Sequence, residues 1–200
     1  MTYPDLLRLS SLFQFVLGSR SPRRVELLRE IGVNFLQRIP DIEESPNPGE
    51  PPYQYAVRLA EEKALEIATD CSDGEIVLGC DTIVVLDDHI LEKPIDQDDA
   101  HRLLSTLSGK RHVVCSALAL ADRSGLLKSG YELTAVHFHQ VTSQQIRDYI
   151  HTGEPMDKAG AYGIQGMGSF LVDRIEGNLD TVVGLPRSLL DRLCGEVLHC

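Results

Sequence analysis

The stretch Ile76 to Leu86, IVLGCDTIVVL, constrains this chain most. Apolar, largely β-branched residues stand at both odd and even positions, so both faces of a strand here demand burial. That is the pattern of a central strand in a sheet covered by helices. In its middle lies Asp81. A carboxylate there is costly unless it is paired, bound to a metal or opened to a cleft. Gly79, two residues earlier, offers such an opening. Asp81 is therefore the first candidate for function, with a structural hydrogen-bonding role as the alternative.

A second stretch, GSRSPRR from Gly18 to Arg24, marks a strand turning into a helix. Phe13, Phe15, Val16 and Leu17 read as a short buried strand that Gly18 breaks. Ser21 is placed to cap a helix, with Pro22 at its first position, where a missing N–H costs nothing. Val25, Leu27, Leu28 and Ile31 form the apolar stripe, and Gly32 ends it. Free backbone N–H groups, the helix dipole and the forked donors of Arg23 and Arg24 suit an anion such as phosphate. An ordinary capped helix with solvated arginines fits the same pattern.

The remaining chain alternates strand and helix, which predicts an α/β fold. Phe35 to Ile39 reads as a strand. Asp41 to Pro52 is acidic and proline-rich, a loop carrying Glu43 and Glu44. Tyr53 to Thr69 reads as a helix, and Lys63 falls on its apolar face with Ala56, Leu59, Ala60, Ala64 and Ile67. A lysine there either snorkels to the rim or reaches into a cleft. Asp87-Asp88-His89 is a turn, placing Lys93 across a hairpin from the Asp81 strand. Asp96 caps a helix that ends at Ser108-Gly109. Val113 to Ala121 and Tyr131 to His139 read as an antiparallel pair, and Ser143 as the cap of the next helix. Gly160, Gly163, Gly166 and Gly168 then cluster around Gln165 in a segment that is neither a Walker A sequence nor GxGxxG. Glycines there permit close approach to a ligand or sharp turns. Gln165 has the donor and acceptor needed to read a base edge. Leu185 to Leu198 is a closing helix.

The composition is that of a globular chain, 42% apolar and 24% charged, and 200 residues suit one large domain or two small lobes. A net charge of −11 argues against generic binding to nucleic acid or to an anionic membrane. It leaves room for a small polyphosphate in a local basic pocket. The five cysteines form no CxxC pair, and the seven histidines are scattered, expected to be solvated or capping. No basic, apolar leader and no membrane-length apolar run is visible, so cytoplasmic location is the expectation. Cationic side chains plus separated carboxylates fit a phosphate ester or anhydride with a divalent cation, which would lower the pKa of water.

The residues quoted above also carry a family resemblance. GSRSPRRVELLREIGV, DIEE, YAVRLAEEKA, VLGCDTIVV, LEKP, LLSTLSGKRHVV, TGEPMDKAGAYGIQG and VVGLP stand in the order found in the Maf family of nucleoside triphosphate pyrophosphatases. The resemblance implies a mixed, twisted sheet flanked by helices, ITPase-like, with two lobes and a central cleft. Residues 12–200 would form that domain and residues 1–11 an N-terminal extension. It implies metal-dependent hydrolysis, with Mg²⁺ or Mn²⁺, of a nucleoside triphosphate to the monophosphate and pyrophosphate. By motif, Ser19, Arg23 and Arg24 are implied to bind phosphates, and Glu44 and Lys63 to serve phosphates or metal. Asp81 is implied to bind metal and accept the proton of water, and Lys93 to contact a phosphate or the transition state. Arg23, Thr82 and Gln165 are similar to the subgroup acting on dTTP and UTP, a house-cleaning activity. Arg20, Glu43, His139 and GNLDTVVGLP depart from the common pattern. The resemblance also implies a homodimer and carries an association with cell-division arrest. A non-catalytic nucleotide-binding regulator of cell division is therefore the alternative.

Overall fold

In the computed structural model, which describes residues 2–199, the chain forms α1 (Pro4–Leu12), β1 (Gln14–Gly18), α2 (Pro22–Ile31), β2 (Phe35–Arg38), α3 (Pro52–Ala68), β3 (Glu75–Leu86) and β4 (His89–Leu91). There follow α4 (Gln97–Leu107), β5 (Arg111–Asp122), β6 (Gly125–Phe138), α5 (Ser143–His151), β7 (Val172–Glu176), α6 (Leu179–Val183) and α7 (Arg187–Leu198). The seven strands make one mixed sheet of order β2-β1-β3-β5-β6-β7, with β4 on β3. The expected central strand is β3, buried on both faces. Two compact units divide the chain: residues to Asp81 with Ser116–Glu132 and everything from Gly184, and Thr82–Cys115 with Leu133–Val183. Among the described residues no helix is long and apolar enough to cross a membrane.

In the first unit β1 pairs in parallel with β2 on one side and β3 on the other, with Gly18 opposite Gly79. The chain leaves β1 through α2 toward β2 and returns through α3 to β3. The direction of winding therefore reverses at the carboxyl end of β1, the place where open α/β sheets take their ligands. Gly79 does not open a cleft, as the sequence suggested. A Cβ there would overlap the Ala60 carbonyl oxygen and stand 2.8 Å from the Cβ and N of Ala64, so its missing side chain lets α3 lie directly on the strand. Residues 4–12, which carried no expectation of structure, form a helix that packs against α7. It buries Leu6 and Leu9, and Leu6 N–H donates to Asp191 Oδ1 at 2.9 Å. The link from β5 to β6 is only Arg123-Ser124, shorter than the expected Asp122 to Gly130, because β6 already begins at Gly125.

In the second unit Asp87 and Asp88, both at positive φ, turn β3 back onto β4. Asp96 caps α4 by accepting from Asp99 N–H. The cap of α5 is Thr142, one residue before the expected Ser143. Thr142 and Gln145 bond each other's backbone in a capping box, which Ser143 could not form at that spacing. Two elements were not foreseen: β7, a largely exposed edge strand pairing with β6, and the five-residue α6. His112 departs from the expectation of solvated histidines. Only 1% exposed, it packs edge-on to Phe138 and Tyr162, with Nε2 2.8 Å from the Tyr162 hydroxyl.

Burial pushes the His112 imidazole down to about 4. The unfolded chain, with a histidine near 6.5, therefore binds more protons between those limits. The stability from keeping this ring neutral is complete above pH 6.5 and declines as the pH falls toward 4. Urea unfolding across this range should show the loss, about 3 kcal/mol for the group. His112→Gln should flatten the profile, and a parallel decline in that variant would assign the loss elsewhere.

Candidate active site

Ser19 leaves the carboxyl end of β1 and is 4% exposed. Its Oγ accepts from Ser21 N–H at 3.2 Å and from Arg24 Nη1 at 2.9 Å, while its carbonyl accepts from Gln37 Nε2 at 2.8 Å. Ser21 occupies the N-cap of α2 as expected, with Pro22 in the first turn, but its hydroxyl makes no capping bond. Ser19 takes the contact with the Ser21 N–H instead. Arg24 also donates Nε to the Gly184 carbonyl at 2.9 Å and Nη1 to the Cys80 carbonyl at 3.1 Å. It ties the turn after β1 to the backbone beside Asp81. Arg23 is half-buried, and its Nε has no hydrogen-bond partner among the described residues. Arg20 is exposed.

Lys63 does not snorkel. It is 7% exposed, and its Nζ lies 2.7 Å from Asp81 Oδ1 and 2.7 Å from Glu44 Oε1. Ala60 and Ala64 rest on Gly79, and Gly18 beside it would bring a Cβ within 3.0 Å of Ile67 Cδ1. With α3 this near the sheet, Lys63 spans only the short distance to the next outward position on β3. Asp81 is 6% exposed, and its Oδ2 has no hydrogen-bond partner among the described residues. Cys80 next to it is fully buried. Burial pushes its thiol up to about 11, against the pull of Arg24 and Lys63, so it remains protonated and offers no competing nucleophile.

Glu44 reaches Lys63 because its loop is clamped, a feature the sequence reading missed. Arg58 forks onto both oxygens of Glu50 at 2.7 Å each. It also donates to Glu62 at 3.0 Å and to the Ser45 carbonyl at 2.9 Å. The Arg58 fork, helped by the Asn47 N–H, holds the Glu50 carboxyl down to about 2 despite the cost of burial. The signal was Arg58 and Glu62, one helical turn apart beside an acidic loop.

The other expected residues lie in the second unit. Thr82 follows Asp81 on β3 and is half-buried, Lys93 is exposed after β4, and Gln165 is exposed on a turn between short 3-10 segments.

A family model described as "Maf-like protein" matches residues 14–197. The chain belongs to the Maf family. Among the Maf relatives it resembles, a Shewanella sp. protein is 49% identical over 178 residues, covering 86% of this chain and 91% of that one. One from Vibrio parahaemolyticus is 45% identical over 183 residues, covering 92% and 96%. One from Escherichia coli O157:H7 is 47% identical over 170 residues, covering 85% and 86%. Each is named a dTTP/UTP pyrophosphatase. A solved dITP/XTP pyrophosphatase from Mycobacterium abscessus overlaps 94% of this chain and 95% of its own, at TM-score 0.47 and 17% identity.

In this Maf chain the donors suited to a hard cation are Glu44 and Asp81. Among the described residues no three His, Cys, Asp or Glu side chains form a cage. Two carboxylates on one ammonium, one with an orphaned buried oxygen, nonetheless match the habit of Mg²⁺. That ion is usually held by one or two carboxylates together with phosphate oxygens and water.

Lys63→Met would leave the Asp81 carboxylate buried without its cation. Breaking such a pair costs about 3–5 kcal/mol, and removing both charges costs much less. Urea unfolding of Lys63→Met, Asp81→Asn and the double variant should return a coupling of that order. Additive losses would show that the pair contributes nothing to folding.

Proposed function

We propose that this chain hydrolyses dTTP and UTP to the nucleoside monophosphate and pyrophosphate. The observation that carries the reading is Asp81: a buried carboxylate with one oxygen held by Lys63 and the other without a partner among the described residues, one strand over from a helix start. The names of relatives at 45–49% identity support the same reaction and the same bases.

The residues divide the work. Ser19, Arg23 and the N–H groups opening α2 take the triphosphate, where the helix dipole favours negative charge. Arg24 keeps that turn in place through Ser19, Gly184 and Cys80 while presenting its positive charge. Lys63 and Lys93 offset charge on the phosphates as the α–β anhydride bond breaks. Glu44 and Asp81 would hold Mg²⁺ or Mn²⁺, which would lower the pKa of water and neutralise phosphate charge. Asp81 accepts the proton of the attacking water. The oxygen of that water bonds the α-phosphorus as the bond from that phosphorus to the α–β bridging oxygen breaks, and pyrophosphate leaves. Thr82 and Gln165 belong to substrate recognition. The amide of Gln165 offers a donor to the O4 oxygen and an acceptor to the N3–H shared by thymine and uracil.

A panel of nucleoside triphosphates with Mg²⁺ or Mn²⁺ and identification of both products tests the reading. Pyrophosphate should appear fastest from dTTP and UTP. Release of single phosphates would move the broken bond, and tight binding without any release would favour a nucleotide-binding regulator. Asp81→Asn should lower turnover about a thousandfold. Calorimetric binding of dTTP should persist in that variant. Wild-type turnover would remove Asp81 as proton acceptor.

A further inference from the structure

The glycine-rich segment of the second unit folds around a carboxylate that none of the roles above uses. Glu154 is half-buried in the first of three 3-10 segments. Its Oε2 accepts from Met167 N–H at 3.0 Å, and its Oε1 accepts from Gly168 N–H at 3.2 Å and from the Tyr149 hydroxyl at 2.9 Å. The same hydroxyl accepts from Gly163 N–H at 3.0 Å. The Gly168 end of the turn is thereby tied to Glu154 directly and the Gly163 end through the Tyr149 hydroxyl, and Gln165 stands between them.

Two of the glycines answer to this carboxylate. A Cβ on Gly163 would stand 3.0 Å from Glu154 Oε1, and one on Gly166 would stand 3.0 Å from Oε2. Gly166 also takes φ +82°, a left-handed value that a side chain disfavours. Burial opposes ionisation of Glu154. The Met167 N–H, the Tyr149 hydroxyl, the Gly168 N–H and the charge of Lys158 together outweigh it and hold the carboxyl below the usual range. The group is an anion at neutral pH, able to accept from every donor aimed at it. No amide of equal shape can do this, since one of its two ends would face an N–H with another N–H.

We propose that Glu154 is a positioning residue for base selection, holding the backbone of the turn so that Gln165 meets the base edge at a fixed height and angle. The proposal rests on the assignment of Gln165 as base reader. Glu154 touches neither substrate nor reacting atoms; it acts through the backbone of residues 163–168.

The test compares kcat and KM for dTTP, UTP, dCTP and dGTP in the wild-type chain and in Glu154→Gln, Tyr149→Phe and Gln165→Ala. Thermal unfolding of each identifies the variants that fold. Glu154→Gln should lower the preference for dTTP and UTP about tenfold, the net scale of one neutral hydrogen bond. Most of that loss should lie in KM, and Tyr149→Phe should move the ratio in the same direction by less. A purely structural role would lower the unfolding temperature and scale all four substrates alike, and that result overturns the proposal. If Gln165→Ala loses the base ratio while Glu154→Gln keeps it, Glu154 is excluded and Gln165 stands. If both keep it, the base-reading role of Gln165 falls as well. Should Glu154→Gln fail to fold, Tyr149→Phe decides: a wild-type ratio overturns the proposal and a reduced ratio upholds it.

Discussion

The ion pair between Lys63 and Asp81 is the contact on which the first unit depends. Two charges withdrawn from water to this depth each carry a desolvation cost of several kcal/mol, which only close geometry offsets. A separation of 2.7 Å is close enough, and it exists because α3 lies on the sheet without intervening side chains. Gly18 and Gly79, register partners on adjacent strands, provide that bare floor. The chemistry of the carboxylate thus rests on the volume of two residues that have no side chain. Glu44 adds a second anion to the same ammonium from a loop that would wander without the Arg58 fork.

The turn after β1 shows a similar economy. Its two arginines look alike in sequence and differ in employment. Arg24 bonds a hydroxyl and two backbone carbonyls, so much of its donor fork faces the protein. Arg23 keeps a buried Nε with no partner among the described residues. Arg24 braces the turn while Arg23 makes no such bond through its Nε, a division that follows from Arg24 lying one residue further round the first turn of α2.

Much of this was legible beforehand because it is local. The doubly apolar pattern of Ile76–Leu86 required a central strand, Pro22 and Gly32 bracketed α2, and Asp96 capped α4. Asp81 stood out because a carboxylate in such a strand demands a reason. What escaped was long-range. Nothing near Lys63 reveals that the floor beneath its helix is glycine, so burial and snorkelling could not be separated. Gly79 was read as room for a ligand when it is room for a helix. The glycines around Gln165 were read as turns or ligand contacts, although two of them, Gly163 and Gly166, make space for Glu154, nine and twelve residues upstream. His112 sits in a strand with no local sign of the aromatic rings that close over it. The short elements β7 and α6 lack the length over which a periodic pattern shows.

A carboxylate in water has two equivalent oxygens, and a proton arriving from solution has no basis for choosing between them. In this fold the equivalence is lifted before any substrate arrives. Lys63 engages Oδ1, and Oδ2 has no hydrogen-bond partner among the described residues. The broken symmetry gives Asp81 a direction as well as a position. Of the two oxygens that a free aspartate would present alike, the folded chain occupies one with an ammonium and keeps the other apart from it.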